Sequence, residues 1–528
     1  NFKFAKKRMA NWGRRDPQGA MEEIDVEMNV IRDFARRVLL SEETFQEEGN
    51  TFVNMFSGEW SGTSKLNKYD LSSMYFNYAG SIYSQNFPII DIVMNTMLKQ
   101  EESDQGRHFF RMFNGMGDDQ RAASYLNGKS FEQAVLDNTL STEVFYEMMK
   151  LKGVYLRNYI NSRLSSNEFK EFMAEFTKRY QFQEVNFTRL NSEFIRKFHF
   201  NLMDFIPNWY TINSTPRFIV KGVDADQVEV GDYTKYIVKF QVYNPTNVEG
   251  VISVNVEEGG GMFPGGPRGR RGRAAQMEAK PAKNYIIEPQ KYKEIRILCD
   301  ERPSNLTINT NISQNLPSTI MQNFAKVTTT TTDTVTGIFD SNATLFTFNP
   351  KEITVDNEDP GFRIIESNQK NKLQSFFKKE SEDKYKNLNF WMPPSRWTAT
   401  IGVNYYGDYI NSAVYKKSGS GSNKTEWTTQ IQIPGFYEVF VYTSELPMMG
   451  WRHRGGEEKK IQYYTVKHDD GEEEISVETG RGRQGWRTLG SFYFSKGEAK
   501  ITLSDKGSES NQIIFADAVK WVYTNNNK

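Results

Sequence analysis

The chain of 528 residues holds one cysteine, Cys299, and four histidines, His108, His199, His453 and His468. A single cysteine excludes an intramolecular disulfide, and with it the stapled scaffold of many small secreted domains. Cys299 closes the alternating run Ile295, Ile297, Cys299 and reads as a small buried hydrophobe. The histidines form no His-Glu-x-x-His pair, and no second cysteine exists to build a zinc site of ordinary spacing. The Gly-x-Ser-x-Gly elbow of serine hydrolases is also missing. No catalytic residue and no metal ligand is therefore assigned. Charge of one sign is lacking too: 66 Lys and Arg balance 66 Asp and Glu. Nothing global points to nucleic acid. No apolar run approaches the ~20 residues of a membrane-spanning helix. The chain starts at Asn1, not Met, and shows no signal-peptide pattern. We expect a fragment or a processed chain, with any anchor upstream.

A length of 528 residues exceeds one core, and the pattern divides it into several domains. The fold class expected is multidomain α+β, with a helical N-terminal half, an immunoglobulin-like β-sandwich and a C-terminal jelly-roll-like β-sandwich. Residues 1–20 are a basic segment with Lys3, Lys6, Lys7, Arg8, Arg14 and Arg15. Residues 21–214 read as a helical domain. Ile24, Met28, Ile31, Ala35 and Val38 recur at helical spacing, and Leu71 to Leu98 resumes that periodicity. From Leu140 the signal strengthens. Ser141 or Thr142 caps a helix to Asn161, Ser165-Ser166-Asn167-Glu168 is a capping box, and Asn186 or Thr188 starts a third helix.

After Thr215-Pro216 the period changes from about 3.6 to 2. Tyr236, Val238, Phe240 and Val242 alternate, and similar runs continue over a sandwich placed at 215–327. The Gly/Arg-rich stretch 259–273 interrupts it as a loop with no periodicity, and as a contact arm toward a partner or lipid headgroups. Residues 328–350, rich in threonine, are a linker or an edge strand. Residues 351–526 alternate again in short strands, with Lys370 to Lys386 as a charged insertion before Trp391.

Binding candidates come from this last domain. Trp451 stands in a polar loop, and Arg452, Arg454, Arg481 and Arg483 flank it and Trp486 in Gly-rich segments. Exposed indoles and arginines of this kind anchor acidic saccharides or acidic protein surfaces. Trp397 and Trp427 take the same reading, whereas Trp486 fits a core position before a strand. Asp517, between Ala516 and Ala518, reads as a buried structural carboxylate that holds a loop through backbone N–H groups. Calcium is the one metal left open. The acidic turns Asp356-Asn357-Glu358-Asp359 and Asp469 to Glu474 carry oxygen ligands, though neither fits a helix-loop-helix pattern and both suit solvated turns.

Two resemblances follow. Val355-Asp356-Asn357, Pro360-Gly361-Phe362, Trp427, Pro434 to Val439, Tyr464-Thr465-Val466, Trp486 to Gly490, Phe494 and Ala516 to Val519 resemble the golvesin C-terminal domain, found also in xanthan-lyase-like proteins of Bacteroidota. That likeness implies a jelly-roll-like sandwich in envelope or secreted proteins. Lys152-Gly153, Leu156 to Tyr159, Phe169, Phe172, Tyr180, Phe182, Phe194, Trp209 and Pro216 to Phe218 resemble the M1-family aminopeptidase segment that follows the zinc site. The family's zinc motif has no counterpart, so zinc enters only if an upstream segment supplies it. The function expected is a non-catalytic cell-envelope scaffold or binding protein, the soluble part of a larger membrane-associated assembly. Its partners would be envelope proteins, an upstream membrane-embedded segment, or carbohydrate bound by the terminal module. The alternatives are the C-terminal part of a zinc aminopeptidase and a polysaccharide-targeting protein. Its place would be the periplasmic or outer-surface side of the envelope.

Overall fold

A computed structural model describes residues 82–87, 90, 93, 117–180, 185–259, 282–324, 327, 329–366, 384–444, 460–480 and 483–524. The basic segment 1–20, the helix expected from Ile24 and nearly all of the Gly/Arg-rich loop 259–273 lie outside those residues. The chain forms two compact units, 1–104 with 152–211, and 105–151 with 212–528.

The described elements begin with β1 (Ile82–Tyr83), α1 (Asp118–Tyr125), α2 (Phe131–Leu136) and α3 (Thr142–Asn161). They continue with α4 (Ser166–Arg179), β2 (Val185–Asn186), α5 (Phe187–Phe198) and α6 (Ile206–Thr211). The caps are those written in the sequence. Ser165 Oγ accepts the Glu168 N–H at 3.2 Å, and the Glu168 carboxylate accepts the Ser165 N–H at 2.9 Å. Asn186 caps α5 by accepting the Arg189 N–H at 2.9 Å. In the first unit Phe172 packs on Phe194 and Phe198 with ring centroids 5.1 and 5.4 Å apart, which closes α4 on α5. Lys152 and Trp209 hold each other: the Lys152 ammonium donates to the Trp209 carbonyl, and the indole N–H donates to the Lys152 carbonyl at 3.2 Å. Burial pulls the Lys152 amine down to about 7. No described helix is long and apolar enough to cross a membrane.

The β1–β2 pair belongs to the first unit, and the second carries the larger sheets. β3 (Ile219–Val230), β4 (Tyr233–Tyr243), β5 (Gly250–Glu258), β6 (Lys283–Ile287), β7 (Tyr292–Cys299), β8 (Pro303–Asn309), β9 (Thr319–Asn323), β10 (Thr330–Thr331) and β11 (Gly337–Asp340) form two sheets. Their orders are β10-β3-β4-β7-β11 and β6-β5-β8-β9. Val238, Phe240, Val242, Ile295 and Cys299 from one sheet meet Ile252, Val254, Leu306 and Ile308 from the other in one core. Residues 330–340, expected largely as linker, add strands to both edges of the first sheet: β10 runs parallel to β3 and β11 antiparallel to β7.

The C-terminal part contains β12 (Glu352–Val355), β13 (Phe362–Ile365), β14 (Thr398–Ile401), β15 (Ser412–Lys417), β16 (Lys424–Ile431) and β17 (Gly435–Thr443). It ends with β18 (Lys460–His468), β19 (Gly471–Thr479), β20 (Gly485–Phe494), β21 (Gly497–Gly507), β22 (Ile513–Ala516) and β23 (Val519–Thr524). These make three sheets, not the two expected: β12-β23-β17-β20, β13-β16-β21-β18-β19 and β14-β15-β22. The first two share a core of Tyr437, Val439, Val441, Val519 and Trp521 against Trp427, Tyr464, Val466, Ile501 and Leu503.

The third sheet is apolar on both faces. Val414, Ile514 and Ala516 point into the main core, while Ala413, Tyr415, Ile513 and Phe515 form a second one with Tyr405, Leu388 and Phe390. This explains why Ile513 to Ala516 is unbroken apolar sequence, where a one-sided strand would alternate. Beside it, Lys416 and Asp505 form a salt bridge with side chains 3 % and 0 % exposed. Burial pushes the Asp505 carboxyl up. Hydrogen bonds from Lys416 and Asn423 outweigh that and hold it below its ordinary value. Replacing Lys416 by Met strands this carboxylate and is expected to cost about 3–5 kcal/mol. Urea unfolding of the full chain measures it, and an unchanged transition would refute the role given to the pair.

Candidate functional site

Two places in the C-terminal part gather side chains beyond what the fold requires. The first is the end of the sandwich where the last strand changes sheet. β22 pairs with β15 and β23 pairs with β12 and β17, so the chain crosses from one sheet to another at Asp517-Ala518. Asp517 is 1 % exposed. Its carboxylate accepts the Ser444 hydroxyl at 2.9 Å and the Tyr406 N–H at 3.2 Å, and its carbonyl accepts the Trp427 indole at 3.0 Å. Gly407 follows Tyr406 at φ +155°, and a Cβ there would stand 1.9 Å from the Ile410 carbonyl oxygen. Only glycine allows this turn.

Around Asp517 lie further acids. Burial, and then the charge of Asp517, push the Asp356 carboxyl up to about 9. Burial raises Asp517 as well, and Asp359. Two neighbouring buried carboxylates do not both ionise near neutral pH. Asp359 accepts the Asp356 N–H at 2.8 Å, and Glu358 accepts the Ser412 hydroxyl at 2.7 Å and the Tyr385 hydroxyl at 3.1 Å. These oxygens serve the chain's own donors. Among the described residues no group of three or more His, Cys, Asp or Glu is placed to hold a metal ion. At the other acidic turn, Asp469 accepts the Ser495 N–H at 3.0 Å and the Ser495 hydroxyl at 2.5 Å.

Over this end three half-buried rings meet. Trp486 lies 5.1 Å from Tyr406 and 5.4 Å from Tyr442, edge to face, and the Lys520 ammonium sits 4.6 Å over the indole. Trp486 is thus wedged between side chains. Trp397 and Trp427 are buried, so neither offers a face to a ligand. Arg483 pairs with Glu478 at 2.7 Å, and its carbonyl accepts the Thr443 hydroxyl and the Arg487 guanidinium. Trp451, Arg452, Arg454 and Arg481 lie outside the described residues.

The second place was not singled out from the sequence. Trp391 and Met392 are each 76 % exposed. Their loop is firmly mounted. The buried Tyr415 hydroxyl donates to the Asn387 carbonyl and accepts the Asn389 N–H, both at 3.0 Å. Asn389 in turn accepts the Met392 N–H at 2.9 Å, and the Pro394 carbonyl accepts the Lys417 N–H at 2.8 Å. Phe390 faces inward into the second core while its neighbour Trp391 faces out. Pro393-Pro394, following Trp391-Met392, was the available signal, since two fixed φ angles stiffen a loop.

The arrangement is that of a β domain with a buried, protein-satisfied polar end and an exposed aromatic loop, with no reactive constellation among its described residues. Residues 386–523 match the golvesin C-terminal domain family. A golvesin-like domain is therefore present, and nothing supports the aminopeptidase likeness of the middle region. No curated protein matches the chain. Among solved structures it is similar to a Paenibacillus xanthan lyase, with 14 % identity, TM-score 0.23, and coverage of 58 % of this chain and 26 % of that one. It is also similar to a two-domain Bacteroides fragilis protein of unknown function, at 10 % identity, TM-score 0.15, and 58 % and 94 % coverage. A third similarity is to Bacteroides uniformis β-glucuronidase 2, at 8 % identity, TM-score 0.15, and 58 % and 30 % coverage. The chain spans about a quarter of the xanthan lyase's length, and these TM-scores fall below those of a shared fold.

The raised Asp356 carboxyl makes stability depend on pH. Its folded pKa lies above its unfolded one, so its contribution is complete below about pH 4 and is lost as pH rises toward about 9. Asp356→Asn keeps the side chain neutral. We expect it to raise Tm by several degrees at pH 9 and far less at pH 5, as read by thermal melts of the full chain. Equal shifts at both pH values would contradict this.

Proposed function

We propose that this chain is a non-catalytic binding protein of the cell envelope, part of a larger assembly, whose golvesin-like domain holds a carbohydrate or protein partner. In this reading the middle sheets are an immunoglobulin-like sandwich and the terminal ones a jelly-roll-like sandwich. The periplasmic or outer-surface placement belongs to the same proposal. The observation that carries it is the Trp391-Met392 pair. Leaving a large indole in water on a loop pinned by a buried tyrosine brings the fold no burial energy. Pre-organised aromatic anchors of this kind lower the ordering cost of binding.

The test is co-sedimentation of the full chain with the envelope fraction of the producing cells. Trp391→Ala is expected to reduce the bound share several-fold with Tm unchanged. Tyr415→Phe, which removes two loop hydrogen bonds but leaves the indole, is expected to reduce it less. Equal sedimentation of all three proteins would overturn the assignment.

A further inference from the structure

The geometry points to an anionic, uronate-bearing polysaccharide as the ligand of the Trp391 loop, with the indole stacking on a sugar ring and Arg396 and Lys417 taking its carboxylates. This rests on reading the terminal domain as a binding module and names its ligand class.

Charge is the first observation. From Lys384 to Thr425 the chain holds Lys384, Lys386, Arg396, Lys416, Lys417 and Lys424 against one acid, Asp408. Three of these charges are already matched: Lys384 pairs with Glu358, Lys416 with Asp505, and Asp408 with Lys221. Arg396 and Lys417 are exposed, and neither has an ion pair among the described residues. They flank Pro394: Arg396 follows two residues on, and the Lys417 N–H binds its carbonyl. The acids bonded to the chain neighbours of Lys417 are Asp505, which Lys416 engages, and Glu509, whose carbonyl accepts the Ser418 hydroxyl at 2.9 Å; neither forms an ion pair with Lys417. Two exposed cations without an ion pair among the described residues are therefore carried by the braced segment that bears the exposed indole and by the strand bonded to it. A guanidinium binds a carboxylate through two parallel hydrogen bonds, which fixes orientation as well as charge.

Size is the second observation. An indole buries about 150–250 Å² on contact. Together with Met392 it falls well short of the about 800 Å² that each partner gives a stable protein interface. A patch of two side chains matches one or two sugar rings, not a protein face. The exposed cations also favour an anionic chain over a neutral one.

The test uses the full chain with polygalacturonate as probe. Its fully methyl-esterified form keeps the backbone without the charge, and dextran serves as the neutral control. Binding is read by affinity electrophoresis and calorimetry at low and high salt. Expected are binding to polygalacturonate that weakens with salt, at least tenfold weaker binding to the esterified form, and none to dextran. Trp391→Ala and Arg396→Gln each lose roughly tenfold or more, Arg396→Lys recovers part of that, and Asp470→Asn changes nothing. Unchanged melting curves exclude misfolding. Equal affinity for charged and esterified polymers overturns the uronate assignment. So does binding to anionic phosphatidylglycerol vesicles in place of polygalacturonate. If polygalacturonate fails while Trp391→Ala still abolishes envelope co-sedimentation, the ligand class is wrong and the binding-module reading stands. If Trp391→Ala changes neither, both fall.

Discussion

The C-terminal part hangs on the backbone crossing at Asp517-Ala518. A strand that leaves one sheet for another must abandon its ladder hydrogen bonds, and buried backbone groups do not tolerate that without new partners. Asp517 supplies them. Its carboxylate takes the Tyr406 N–H and the Ser444 hydroxyl, and its carbonyl takes the Trp427 indole, while the Ala518 carbonyl takes the Tyr442 N–H at 2.9 Å. One residue thereby joins the end of β17, the middle of β16 and the loop before β15. That loop also reaches the middle sheets. The Leu316 N–H donates to the Tyr409 carbonyl at 2.9 Å, the Asn411 N–H donates to the Leu316 carbonyl at 2.7 Å, and the Arg217 guanidinium lies 4.0 Å over the Tyr409 ring. A short segment, 402–411, is thus held by Asp517 on one side and by the middle sheets on the other.

The third sheet follows from that crossing. Because β22 stays with β15 before the switch, it presents a second apolar face that Leu388, Phe390 and Tyr405 cover. Covering it takes a long connection, and that connection carries Trp391 outward. Packing and exposure alternate along Phe390 and Trp391 as in a strand, although the segment is a loop. The aromatic that faces solvent is therefore mounted on the core by its immediate neighbour. An exposed aromatic is thus fixed in place on a loop without a rigid element of its own.

Ionisable groups in this domain are treated in two ways. The Asp505 carboxylate is held in its charged form by the Lys416 ammonium, and further donors complete its shell. Among the described residues no cation acts on Asp356 or Asp517, and burial favours their neutral forms. Hydrogen bonding inside the protein accounts for their positions, which is why so many acids in one place make a structural knot here.

Much of this was legible in the sequence. Helix caps at Ser165 and Asn186, the change of period after Pro216, the strand series and the golvesin-like motifs all depend on local patterns of a few residues, and local patterns are what a sequence displays. Asp517 stood out because a lone acid in an apolar strand needs an explanation. The tryptophans were harder. Trp397 and Trp427 looked like surface anchors beside polar neighbours, but their burial depends on which strands stack above them, whereas Trp486, read as a core position, is wedged between Tyr406 and Tyr442. Trp391 drew no attention, since its exposure arises from the second core that only a third sheet creates. For the threonine-rich stretch the sequence left a linker and an edge strand both open, because pairing with β3 and β7 joins residues far apart in the chain. By itself the sequence determined the elements, the order of helical and sheet regions and the family of the terminal domain. Only the tertiary structure decided which aromatics face water and which charges are left unmatched, because exposure and pairing are properties of neighbours in space.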